Sequence, residues 1–248
     1  MHVIPILQGN YLQCHTVDQL FENLNALISA EMSFIKNAST IFHNSTRDAV
    51  DIIMYYDEHI TAIANRFGIS KALMQSVLMR EIRWVDLSDD VADRAVIATH
   101  VYQNSLYEFS NFPLVQRALD NFPQVPLIMR EDSSTGLGQI FANTAINAHN
   151  WYYNDNPNFE PLSFQNRFER FEMWNRLRTD NYFNLEMVGM VLAHKIYLLG
   201  HNPNTTNPEQ IREILARYNG TGDAAILNGI VVFEYYLLFS VFNACINR

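Results

Sequence analysis

Glu81 has the residue type and the neighbours for proton-transfer chemistry. It lies in the run Leu78-Met79-Arg80-Glu81-Ile82-Arg83. On a helix it shares a flank with Val77 and Leu78, because residues three and four apart are surface neighbours. An apolar wall makes a carboxyl harder to ionise and raises its pKa. A group that holds a proton near neutral pH and hands it to a leaving oxygen is a general acid. The competing reading is an ordinary helix-surface glutamate between Arg80 and Arg83. Spacing alone does not separate the two.

Two further segments bear on the choice. Ser133-Ser134-Thr135-Gly136-Leu137-Gly138-Gln139-Ile140 is a small-residue turn leading into a helix-like run, 141–151. Its two glycines let the backbone come close to a bound group. Ser133, Ser134 and Gln139 are its hydrogen-bonding side chains, which also suit plain turn chemistry. Ala216-Arg217-Tyr218-Asn219-Gly220-Thr221-Gly222 follows downstream.

Taken in order, the helix with Glu81, the G-L-x-Q turn and the Y-N-G segment resemble goose-type lysozymes and soluble lytic transglycosylases of the lysozyme-like superfamily. The resemblance runs from about Ser70 to Ile230. It implies a mainly α, lysozyme-like domain that cleaves the β-1,4 bond between N-acetylmuramic acid and N-acetylglucosamine in peptidoglycan. Glu81 becomes the catalytic acid and base, and no metal or organic cofactor is needed. Asp132 or Glu131 takes the place of a second, water-positioning carboxylate. Ser133, Ser134, Gly136 and Gln139 line the sugar, the Tyr218 hydroxyl reaches the acid, and Asn219 contacts the glycan. The pattern departs from the family at Gly138, where Met is usual, and at Arg217, where a small residue is usual. Muramidase and lytic transglycosylase outcomes both stay open, because the muramoyl 6-hydroxyl can replace water as the attacking group.

Helices must position these residues. Thr16 to Lys36 has helical spacing, and Thr16 with Gln19 fits a capping box. A helix opening at Ser45 or Thr46 ends at Gly68, a C′ residue. Met54-Tyr55-Tyr56 reads as core, and Asp57-Glu58-His59 as a solvated face and not a metal site. Ser70 opens the helix of Glu81. Asp86, Asp89, Asp90 and Asp93 read as a solvated helix start, followed by helix to Gln103. A short helix is expected within 109–125, as part of a lobe inserted between Glu81 and the glycine turn. Phe164, Phe168, Phe171 and Trp174 form one stripe, expected in the core. Asn184 to Leu199 is helical, and Asn207-Pro208 starts the helix that delivers Tyr218. The apolar tail, 230–246, reads as a buried terminal helix, being short for a membrane span and carrying Glu234. The expected division is an N-terminal helical segment, 1–68, and a catalytic domain, 69–248.

Composition narrows the partners. The net charge of −9 argues against nucleic acid and against anionic surfaces. Nearly half of the 248 residues are apolar, enough for a sizeable core. Two cysteines, Cys14 and Cys245, make no disulfide framework, and their pairing stays open. Met1 to Gln13 lacks the pattern of a signal peptide. A wall-cleaving enzyme of this kind is expected to reach the periplasm by a dedicated delivery route or as part of a larger protein. Its expected partners are glycan strands and a delivery or immunity protein. Two readings from other classes stand beside the enzyme: a non-catalytic glycan- or protein-binding module, and a membrane-associated helical protein.

Overall fold

The computed structural model describes residues 16–34, 44–109 and 130–246. The described residues form ten α-helices and no strand: α1 Val17–Phe34, α2 Thr46–Tyr55, α3 Asp57–Phe67, α4 Lys71–Trp84, α5 Leu87–Phe109, α6 Ala142–Tyr153, α7 Arg167–Thr179, α8 Asn181–Leu199, α9 Pro208–Tyr218 and α10 Asp223–Ile246. The short helix expected within 109–125 and the Cys14 side of any disulfide lie outside the described residues.

Helix boundaries follow local chemistry. Thr16 and Gln19 cap α1 reciprocally, each backbone N–H reaching the other side chain at 3.2 Å. Ser45 and Asp48 form a capping box on α2. The single helix expected between Ser45 and Gly68 is instead two, α2 and α3, with the break at Tyr56. Gly68 closes α3 at φ 65°, the left-handed conformation that glycine adopts without strain. Asn207 caps α9 through Glu209 and Gln210 N–H, with Pro208 in its first turn.

The chain divides into two compact units, 1–85 with 188–248, and 86–187. The boundary expected at 68/69 falls inside the first unit, and the second division falls within α8.

In the first unit, α4 and α10 are the central helices. α10 packs on α1, α4 and α9, while α2 and α3 pack on α4. Ile53, Ile60, Ile63, Met74, Leu78, Tyr235 and Phe239 are fully enclosed. Two glycines allow close helix approach. A methyl group at Gly189 would strike Ile63 and Phe67 of α3, and one at Gly229 would lie 2.6 Å from the Arg212 carbonyl. α10 is long and apolar enough to cross a membrane by length and composition. Eight of its residues, Val232, Tyr235 and Phe239 among them, are buried within this unit. Asp57 bonds Lys71 at 2.7 Å and Gln75 at 3.2 Å, tying α3 to α4. Tyr55, expected in the core, is 76 % exposed.

A polar knot joins three of these helices. Arg80 of α4 meets Glu31 of α1 at 2.6 Å, and Tyr235 of α10 donates to the other Glu31 oxygen at 2.9 Å. Arg80 also lies over the Trp84 ring, 4.0 Å from its centre. Both ends of the ion pair are largely enclosed, so each charge depends on the other.

In the second unit α6 packs on α7. The aromatic stripe expected in the core is only partly there, with Phe164 and Phe171 half-buried. Trp174 is fully buried, whereas Phe168 is half exposed. Arg167 lies over the Phe168 ring, which suits a ring at the surface.

Removing one partner of the α1–α4–α10 knot tests its weight. Glu31→Ala strands Arg80 and should cost about 3–5 kcal/mol. Urea unfolding followed by circular dichroism reads this as a lowered midpoint, and a midpoint within experimental error of wild type would show that the knot carries no stability.

Candidate functional site

The candidate residues fall into two groups, one in each unit. Glu81, Tyr218 and Asn219 belong to the first. Glu131, Asp132, Ser133, Ser134, Gly136 and Gln139 belong to the second.

Glu81 sits in the last turns of α4, between Arg80, which is turned to Glu31, and Ile82, which is buried. Its side chain is half-buried, with Oε1 closed off from solvent. Tyr218 ends α9, and Asn219 is the exposed C-cap residue. Burial holds the Tyr218 phenol neutral, well above the usual tyrosine range, and the Glu81 carboxylate pushes it the same way. The phenol therefore feels the Glu81 charge within one unit, although 137 positions separate them in the chain (218 − 81).

The segment 131–140 forms a closed turn. Thr135 and Ile140 pair as an isolated antiparallel bridge, through bonds of 3.3 and 3.1 Å. Gln139 N–H donates to the Gly136 carbonyl at 3.2 Å and its Nε2 to the same oxygen at 3.0 Å. Gln139 itself takes φ 46°. Asn184 of α8, fully buried, locks the turn from within: its Nδ2 donates to the Thr135 and Leu177 carbonyls at 3.2 and 3.0 Å, and its Oδ1 accepts the Gly138 N–H at 2.8 Å. Gly136 has φ 73°, and a methyl group there would clash with Asn184 and the Leu177 carbonyl. The close approach expected of a ligand at this glycine is made by the protein itself.

The carboxylates near this turn are also engaged internally. Asp132 accepts the Ala142 and Asn143 N–H groups at 2.8 and 3.0 Å, so each oxygen holds an amide at the start of α6. Burial raises its pKa, opposed by the Asn143, Ala142 and Ser133 amides and by Arg170. Glu131 is exposed and lies between Gln103 at 3.1 Å and Arg170 at 3.4 Å. Ser133 is buried, donating to Asp93 at 2.9 Å and accepting from Trp174 Nε1 at 2.9 Å. Asp93, expected on a solvated helix start, is instead turned inward. It binds Ser133 and Thr135 and meets Arg178 at 3.4 Å. Burial raises its pKa, opposed by the two hydroxyls and Arg178.

No family model, curated protein or solved structure matches this chain.

Sequence reasoning missed Glu31, Asp93 and Asn184. The signal for Asn184 was its place among apolar neighbours at the start of α8, since a buried amide must find partners. Glu31 and Asp93 had none, because their partners lie far away in the chain.

Two outcomes follow. Gly136→Ala should destabilise the chain by about 3 kcal/mol, the upper range for overpacking, through displacement of Asn184. A thermal melt unchanged from wild type would show that the turn yields freely. Tyr218 gives a pH dependence. Its pKa is raised in the folded chain and ordinary, about 10, in the unfolded one. Its contribution to stability is thus complete below about pH 10 and is lost as pH rises through the folded value, by up to about 1.4 kcal/mol per pH unit. Urea midpoints measured across that window should fall less steeply in Tyr218→Phe than in wild type. Equal slopes would place the phenol in an ordinary environment.

Proposed function

We propose that this all-helical chain is a peptidoglycan glycosidase with a lysozyme-like core, acting in the periplasm or at the bacterial cell wall. Its bond is the β-1,4 link between N-acetylmuramic acid and N-acetylglucosamine. The observation that carries this reading is the half-enclosed Glu81 carboxyl, held in one unit with the Tyr218 phenol, which desolvation and the Glu81 charge keep neutral. The resemblance in motif order supports it. Glycan strands are the substrate, and a delivery or immunity protein is the accompanying partner.

Glu81 gives its proton to the glycosidic oxygen as the C–O bond breaks and an oxocarbenium-like centre develops. The incoming hydroxyl then adds to that carbon and returns its proton to the Glu81 carboxylate, which restores the acid. Tyr218 is a positioning residue. Burial keeps it protonated at every pH where Glu81 cycles, so it remains available to orient the carboxyl.

Of the two outcomes, we favour transglycosylation. Hydrolysis calls for a second carboxylate to direct water. Both Asp132 oxygens are taken by α6 amides, Glu131 is paired with Arg170, and Asp93 is held by two hydroxyls. With these three carboxylates engaged, attack by the 6-hydroxyl already present on the substrate is the simpler course, since it closes a 1,6-anhydro ring without a directed water.

The second reading is a glycan- or protein-binding module without turnover. The glycine turn, whose close approaches are consumed by Asn184, leaves the enzyme reading without the sugar-contacting loop its motif implied, and so keeps this second reading in play.

Digestion of purified sacculi tests both. Wild type should release soluble 1,6-anhydro muropeptides, and Glu81→Gln should lose about a hundredfold or more in rate while keeping its far-UV spectrum. Rates within a few-fold of each other would remove Glu81 as the acid. Reducing products would establish hydrolysis instead. Sacculus binding without any soluble product would establish the binding module.

A further inference from the structure

Beside Tyr218 and Asn219 the first unit holds an open cleft of about 260 Å³, lined by Lys195, Leu198, Leu199, Arg217, Gly220 and Thr221. Two cations face it, one from α8 and one from the last turn of α9. Burial lowers the Lys195 pKa, and the Arg217 charge lowers it further. No carboxylate forms an ion pair with either cation among the described residues. Glu213, one turn before Arg217 on α9, is occupied by His201 at 2.9 Å. Two like charges held against each other in a chain of net charge −9 call for an anion between them. Thr221 adds a hydroxyl at the exposed rim.

We propose that this cleft binds a carboxylate of the peptide stem carried by the muramoyl sugar. The assignment rests on the glycosidase reading, and adds to it a subsite for the acidic peptide. Arg217 is the residue immediately before Tyr218, and Gly220 and Thr221 follow Asn219 directly. A glycan contacting the exposed Asn219 therefore brings its lactyl-linked peptide to the cleft mouth. Arg217, which departs from the small residue usual at this place in the resembling family, is the group that makes the subsite cationic. Arg presents a planar fork matched to a carboxylate, and Lys195 adds a point charge.

The test is calorimetric titration of the full chain with three probes: N-acetylmuramoyl-L-alanyl-D-glutamate, inorganic phosphate, and chitotetraose as a neutral glycan. Wild type should bind the muramoyl peptide, with affinity falling as sodium chloride is raised. Lys195→Gln/Arg217→Gln should weaken that affinity at least about tenfold and leave chitotetraose binding as in wild type. Arg217→Lys should fall between them. Three results would overturn the proposal: no muramoyl-peptide binding by wild type, salt-independent binding, or equal affinity in the folded double variant. Phosphate binding without muramoyl-peptide binding would also overturn it, since the site would then serve a free phosphate. Sacculus digestion by wild type with no carboxylate binding would reject the subsite alone. Carboxylate binding lost in the variants, with no digestion by wild type, would reject the glycosidase and keep the subsite.

Discussion

A carboxylate taken out of water must be answered by charge and hydrogen bonds, and Glu31 is answered by Arg80 and Tyr235 at once. That constraint fixes α4. Arg80 points to α1 and α10, and successive helix residues turn by about 100° around the axis. Glu81 is thereby committed to the neighbouring direction, in which the Tyr218 phenol feels its charge. The apolar partners of α4 set how deeply the helix is buried, with residues 72–79 all enclosed. Apolar packing tolerates small rotations, whereas a 2.6 Å ion pair and a 2.9 Å phenol bond do not. The polar knot therefore does what the surrounding leucines and methionines cannot: it sets the angle at which the next residue along the chain leaves the helix.

The features legible in the sequence were those with local causes. The Ser45–Asp48 box, the Asn207-Pro208 start, the Thr16–Gln19 pair and the Gly68 stop each need only residues within one helical turn. The break at Tyr56 was illegible, because nothing in its neighbourhood is a helix breaker and both flanking segments are good amphipathic helices. Phe168 and Tyr55 were read as core from residue type, yet a stripe says which face is apolar and not which neighbour covers it. At the candidate site, the type and helix of Glu81 could be read. Its proximity to Tyr218 depends on where α9 lies along the first unit, which only the motif order hinted at. Asp93 was invisible for the same reason, since its hydroxyl partners Ser133 and Thr135 lie 40 and 42 positions away.

Glycines in this chain serve two different ends, and the sequence writes them alike. Gly136 is required because Asn184 and the Leu177 carbonyl occupy the space a side chain would need. Gly220 and Gly222 also have positive φ, at 118° and 99°, yet a methyl group at either would meet nothing within 4 Å. They are required for the path of the backbone alone. This inverts the first expectation from the motifs. The G-L-G turn, which looked like a cradle for a ligand, is filled by the protein. The G-T-G turn, which looked like the tail of a motif, carries the chain past an open cleft between two cations. Gly68 and Gly200 are equally open at positive φ and only follow helix ends, so it is the two cations lining the cleft, and not the glycine or the space beside it, that mark this surface as one able to receive a ligand.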